Sequence, residues 1–216
     1  MKKMMMIVVM AAVACLTTSA QNEVGQITLQ PKIGMNITNI TGAEIVTGTS
    51  TEKANFMIDF AVGVEAEYGL AEKFSLAAGI LYSRQGCDFG EAKVIIGSTS
   101  SGWDKNQDKL GYLNIPIVAN YYLAKGFAIK AGIQPGFLLS AKKKVDGIGL
   151  TPSQNDDFKD ACKSFDLSIP LGLSYETDNV VIDGRYNLGV TKINKEGDKD
   201  MKNSVIQFTI GYKFAL

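Results

Sequence analysis

Cys87 and Cys162 are the two thiols that remain if a leader carrying Cys15 is removed. In an oxidising compartment such a pair can close a disulfide between two outer loops; on strands that are not neighbours the thiols stay too far apart to bridge. Asp156, Asp157 and Asp160 form an acidic run whose spacing does not match a calcium-binding loop, so a solvated loop is the plainer reading. Asp183 and Arg185 stand two residues apart, on one face of any strand that holds them. There they either line an ion path or close on each other as a structural pair. Trp103, the single tryptophan, falls in a Ser-, Gly- and Asp-rich stretch read as a loop, where it packs or anchors a partner. Ser98 to Ser101 has no base beside it.

The chain contains no histidine. Imidazole is the usual general base near neutral pH and the commonest metal ligand, so Ser-His-Asp and Cys-His catalysis are excluded. No enzymatic activity, cofactor or metal is expected. Lys and Arg total 22, and so do Asp and Glu. A nucleic-acid partner, which needs a basic face, is therefore not expected either.

The elements that would hold these residues are strands. Residues 1–20 read as a signal peptide: Lys2 and Lys3 lead an apolar run from Met4 to Leu16, followed by a small-residue cleavage site at Thr18-Ser19-Ala20. Residues 21–216 then form one domain. No other apolar run is long enough for a membrane helix. Period-two alternation predicts eight strands over Ile27–Thr38, Phe56–Tyr68, Phe74–Arg84, Leu110–Leu123, Phe127–Ala141, Phe165–Tyr175, Val180–Thr191 and Val205–Phe214. The connections alternate between short turns and long polar loops. That pattern predicts an all-β fold: a closed antiparallel up-and-down transmembrane β-barrel, with long extracellular loops and short periplasmic turns.

Alternation alone does not say which face is wet, since a soluble barrel turns its apolar set inward. Three features favour the inverted arrangement. The polar face carries glycines and charges deep in the strands, with Lys32, Asp59, Glu65, Lys130, Asp166, Asp183 and Arg185 predicted to fill the lumen. Aromatics gather near strand ends in two belts: Tyr68, Phe74, Tyr121, Phe127, Tyr175, Tyr212 and Phe214 at one level, and Tyr82, Phe137 and Phe165 at the other. The last strand runs into the terminal residues Tyr212 to Leu216, an apolar end with a near-final aromatic. Arg84, in the lipid-facing phase at a loop end, is expected to reach the headgroups.

The stretch Leu113-Asn114-Ile115-Pro116-Ile117, followed by Asn120-Tyr121-Tyr122-Leu123, resembles a characteristic strand of Bacteroidota outer-membrane β-barrel proteins, the porin-family or PorT-like group. Ala131 to Ser140 is similar to that group's next strand, Asp183 to Val190 to its seventh, and Lys32 to Asn36 to its first. Asn114 departs from the glutamate many relatives carry. The resemblance implies an eight-stranded barrel of the OmpX/OmpA-like kind in the outer membrane, and no single activity. Two functions stay open: a structural or interaction role at the cell surface, or a narrow porin-like channel for small solutes. The partners implied are outer-membrane lipid and lipopolysaccharide, with the barrel-assembly machinery during insertion.

Overall fold

The structure is a computed structural model that describes residues 23–47, 50–96, 99–197 and 199–216; the predicted signal peptide lies outside the described residues. The strands, in chain order, are β1 (Ile27–Thr41), β2 (Glu44–Thr47), β3 (Ser50–Lys53), β4 (Met57–Ala71), β5 (Phe74–Asp88), β6 (Ala92–Ile96) and β7 (Thr99–Asn114). They continue with β8 (Ile117–Ala124), β9 (Phe127–Gly149), β10 (Gln154–Asp157), β11 (Phe165–Thr177), β12 (Val180–Gly189), β13 (Lys202–Tyr212) and β14 (Phe214–Ala215).

The ring runs β1–β4–β5, then to β7 and β8, then β9–β11–β12–β13 and back to β1, antiparallel throughout. Strands β7 and β8 form one stave interrupted at Ile115 and Pro116, because proline has no N–H for the ladder; Ile115 keeps its own by donating to the Pro135 carbonyl at 2.8 Å. Eight staves therefore close the barrel, as the alternation predicts, and closure leaves no unpaired edge in lipid.

The turns at one end are two residues each. Gly126, between β8 and β9, has φ of 75°, and a side chain there would press on the Glu176 carbonyl at 2.2 Å. Asp178, between β11 and β12, has φ of 51°, a left-handed conformation that aspartate tolerates better than most residues.

At the other end the sequence reading is corrected. The expected loops after the third and fifth strands are largely strand. Strand β5 runs on to Asp88 and β9 to Gly149, while β7 begins at Thr99, so a sheet of β6, β7, β9 and β10 rises beyond the barrel. This sheet lies beyond the lipid-facing wall, so no lipid contact imposes an apolar alternation on it to read. Trp103 accordingly lies within β7, opposite Gly147. Asp156 and Asp157 lie in β10, opposite Lys143 and Lys142, while Asp160 sits in a 3-10 turn. No acidic cluster among the described residues gathers in a metal-holding geometry.

The faces fall as the inverted arrangement requires. Ile58 is 67% exposed, Phe60 41% and Val62 42%, while Glu65 and Arg185 are 2% exposed. All ten belt aromatics point outward: Tyr68, Phe74, Tyr121, Phe137, Phe165 and Tyr175 are exposed, and Tyr82, Phe127, Tyr212 and Phe214 half-buried.

Of the two alternatives open for the cysteines the structure has the unbridged one: Cys87 and Cys162 are free. Both belong to an apolar cluster at the barrel's loop-side mouth, with Ile40, Phe89, Leu110, Tyr112, Leu138 and Ile193. Cys87 stands on β5 and Cys162 just before β11, strands separated in the ring by β7 and β9. Burial, and then the Asp108 carboxylate, push the Cys87 thiol up to about 12 and the Cys162 thiol up to about 11. Thiolates are the reactive form, so both resist oxidation. We expect identical mobility with and without reductant on denaturing gels, and two thiols titrated per unfolded chain of residues 21–216; a reductant-sensitive band would show a bridge.

Candidate functional site

The lumen gathers five of the seven charges predicted to fill it. Strands β1, β4, β9 and β12 alternate Lys32, Glu65, Lys130, Asp183 and Arg185 inward at one level. The Arg185 guanidinium forks onto both carboxylates. Its Nη1 and Nη2 donate to Glu65 Oε1 and Oε2 at 2.7 and 2.8 Å, and its Nε and Nη2 to Asp183 Oδ1 and Oδ2, both at 2.8 Å. Lys32 Nζ donates to Glu65 Oε2 at 2.7 Å and Lys130 Nζ to Asp183 Oδ2 at 2.6 Å. Planar two-point contacts of this kind are the strong form of an ion pair. Two inward glycines leave the space: a side chain on Gly79 would meet Glu65 Cγ at 2.6 Å, and one on Gly172 would meet Arg185 Cγ at 2.9 Å.

A second charged layer lies nearer the short turns. Lys213 Nζ donates to Glu176 Oε2 at 2.6 Å and sits 3.1 Å from Glu67 Oε2. Glu67 also accepts from Ser75 and from the Tyr122 hydroxyl, the latter at 2.8 Å. The central layer holds three cations and two carboxylates, and this one two carboxylates and one cation. Each carries one unit of net charge, of opposite sign, so the two together are neutral. Above them comes an amide layer. Asn36 Nδ2 donates to Ser83 Oγ at 2.9 Å, and Gln207 Nε2 to Asn36 Oδ1 at 2.9 Å. The apolar mouth cluster covers it, with Tyr112 and Ala141 wholly buried.

Two predicted lumen charges lie elsewhere. Asp59 does not join the central layer but sits 3.4 Å from Arg84, at the loop end of β4. Past the last paired residues, Ala61 and Ser83, strands β4 and β5 no longer hold each other in register, and the carboxylate reaches the neighbouring guanidinium. Arg84 lies over the Phe60 ring, 5.6 Å from its centroid. Asp166 is buried but meets neutral donors, Thr191 Oγ1 at 2.7 Å and Asn203 Nδ2 at 3.0 Å, in place of a cation.

The second layer was missed by sequence reasoning. Glu67 shares the phase of Glu65, and Lys213 the phase opposite Tyr212 and Phe214, so both carried a signal. Glu176 did not, because it falls one residue beyond the predicted end of its strand.

A lumen filled in this way holds its charged groups in fixed ion pairs. Comparison with known families agrees on the kind of fold. A family model described as an outer membrane protein beta-barrel domain matches residues 19–195. No curated protein matches the chain in sequence. The chain is similar in structure to the attachment invasion locus protein Ail of Yersinia pestis, at 15% identity and a TM-score of 0.47, covering 89% of this chain and 100% of that one. It is also similar to Neisserial surface protein A, at 15% identity and a TM-score of 0.46, covering 92% and 99%. Pseudomonas aeruginosa OprG is a third, at 13% identity and a TM-score of 0.45, covering 90% and 98%. Because the family match spans most of its length, the chain belongs to the outer membrane protein beta-barrel domain family.

Proposed function

We propose that this protein is a closed outer-membrane barrel with a structural and interaction role at the cell surface, not a channel and not an enzyme. The observation that carries the reading is the filled lumen. Two charged layers, an amide layer and an apolar cap follow one another along the axis, and the charges of both layers meet in ion pairs. Small eight-stranded barrels leave an interior that side chains can fill, and paired charges offer a passing ion no vacant partner. A porin-like function would require several of these contacts to open together.

Residues 1–20 serve as the export signal and are cleaved, and the barrel-assembly machinery inserts the remainder. The motifs in β7–β8 and β12 favour membership of the PorT-like barrels of Bacteroidota. The aromatic rings at the two strand ends sit at the two membrane–water interfaces. Lipopolysaccharide is the lipid partner. Arg84, Lys109, Lys142 and Lys144 line one groove on the outer wall beside Phe60 and Tyr82, where cations meet phosphate headgroups while the aromatics meet acyl chains. The risen sheet is the surface shown to the exterior.

Planar-bilayer recording tests the reading. The purified protein should insert without reproducible single-channel steps; steps of constant size would make it a channel.

A further inference from the structure

The loop-side mouth contains a cavity that neither the lumen plug nor the lipid contacts use. Its volume is about 350 Å³, within the range of small-molecule sites. It lies above the upper aromatic belt, between the 3-10 turn at Lys159–Ala161 and the segment joining β12 to β13. Ile40, Leu110, Phe158, Cys162, Ile193 and Met201 give it apolar walls. Its charges are lopsided: Asp108, Asp160 and Glu196 line it against Lys195. The Lys195 ammonium is already engaged, donating to the Asp160 carbonyl oxygen at 2.8 Å. Neither Asp160 nor Glu196 has an ion-pair partner among the described residues, and both stand exposed at the rim.

The decisive group is Asp108. It points inward from β7 beside the cluster, and its side chain is only 13% exposed. Its Oδ1 is buried without a hydrogen bond. Its ion-pair partner, Lys143 Nζ, stands 3.6 Å from that oxygen, beyond hydrogen-bond length, and lies 5.6 Å from the centroid of the Phe89 ring. Burial raises the Asp108 carboxyl above the ordinary range by more than the Lys143 ammonium lowers it. A buried acceptor without a donor is costly, and a ligand that supplies one recovers that cost on binding. Apolar walls select a hydrocarbon body, and three carboxylates set against the Lys195 and Lys143 ammoniums leave one net negative charge, which favours a cation over an anion.

We propose that this mouth cavity binds a small organic amine with an apolar body, taken from outside the cell, its ammonium donating to Asp108. The rim carboxylates draw the cation in, and Ile193 and Leu110 hold its hydrocarbon part.

The test is calorimetric titration of the full-length barrel in lipid nanodiscs, with empty nanodiscs as the blank for partitioning. The probes are 2-phenylethylamine, 2-phenylethanol and 3-phenylpropanoate. The amine should bind saturably and about tenfold or more tighter than the alcohol, the difference a charge-assisted hydrogen bond makes, and the carboxylate should not bind. Asp108→Asn should bring amine affinity to within about twofold of the alcohol's. Ile193→Trp, which fills the cavity, should abolish binding of both. Heat-modifiable gel mobility checks that each variant is folded; if Asp108→Asn does not fold, the probe series and Ile193→Trp decide alone. Equal binding of amine and alcohol, an amine preference that survives Asp108→Asn, binding that survives Ile193→Trp, or no saturable binding would each overturn the proposal.

Discussion

Glu65→Leu is expected to destabilise the barrel by about 3–5 kcal/mol, more than Arg185→Leu in the same cluster. The order follows from the charge count. Removing Arg185 deletes four hydrogen bonds but leaves Lys32 on Glu65 and Lys130 on Asp183, two cations against two carboxylates. Removing Glu65 leaves three buried cations around Asp183 alone. Uncompensated charge in a dry interior costs more than lost contacts, because the ions left behind have given up their hydration. Glu65→Gln should fall between, since it keeps shape and one acceptor. Urea titrations of the micelle-embedded protein, with the folded fraction read from unheated gels, give the order directly. If Arg185→Leu were the more damaging, hydrogen-bond geometry and not charge balance would govern the plug.

Leu171→Arg should cost about 2–4 kcal/mol, the penalty for a cation facing lipid near the bilayer midplane. Leu171 stands midway along β11 between the belt residues Phe165 and Tyr175, and its side chain points outward, 48% exposed. In a water-soluble barrel the same change would be nearly neutral, because exposed positions accept arginine readily. Leu150, 77% exposed just past the end of β9 on the risen sheet, is the internal control. Leu150→Arg should change stability by less than about 0.5 kcal/mol. Equal effects at the two sites would contradict a membrane-facing wall.

The eight staves were legible because lipid imposes one rule on every strand, oily outward and small or polar inward, and β1, β4 and β11 follow it residue by residue. Where the rule stops, legibility stops. Strand β9 continues to Gly149 through Ala141-Lys142-Lys143-Lys144, which reads as a polar loop because lipid no longer touches either face. The central charge layer was legible for the same reason as the strands: Lys32, Glu65, Lys130, Asp183 and Arg185 interrupt the inward phase deep within their segments. What phase cannot give is partnership. Asp59 and Asp166 have the correct phase, yet one turns to Arg84 at a splayed strand end and the other to Thr191 and Asn203. That Cys87 and Cys162 lie on strands that are not neighbours was legible from the strand order; that they share one apolar cluster was not.

The fork between Arg185 and Glu65 joins residues 120 positions apart, across the seam where β13 meets β1. Lys32 and Glu65 stand on adjoining strands, and Asp183 and Arg185 share one, so each half can collect its charges early. The first half is neutral, and the second carries one cation in excess. Only when the last strand docks on the first does the guanidinium reach its second carboxylate, so the clasp and the seam form in one event. A half-closed sheet entering the bilayer would hold bare ions as well as open edges. The same five side chains that stopper the finished barrel thus penalise stopping short of it, and insertion becomes close to all-or-none.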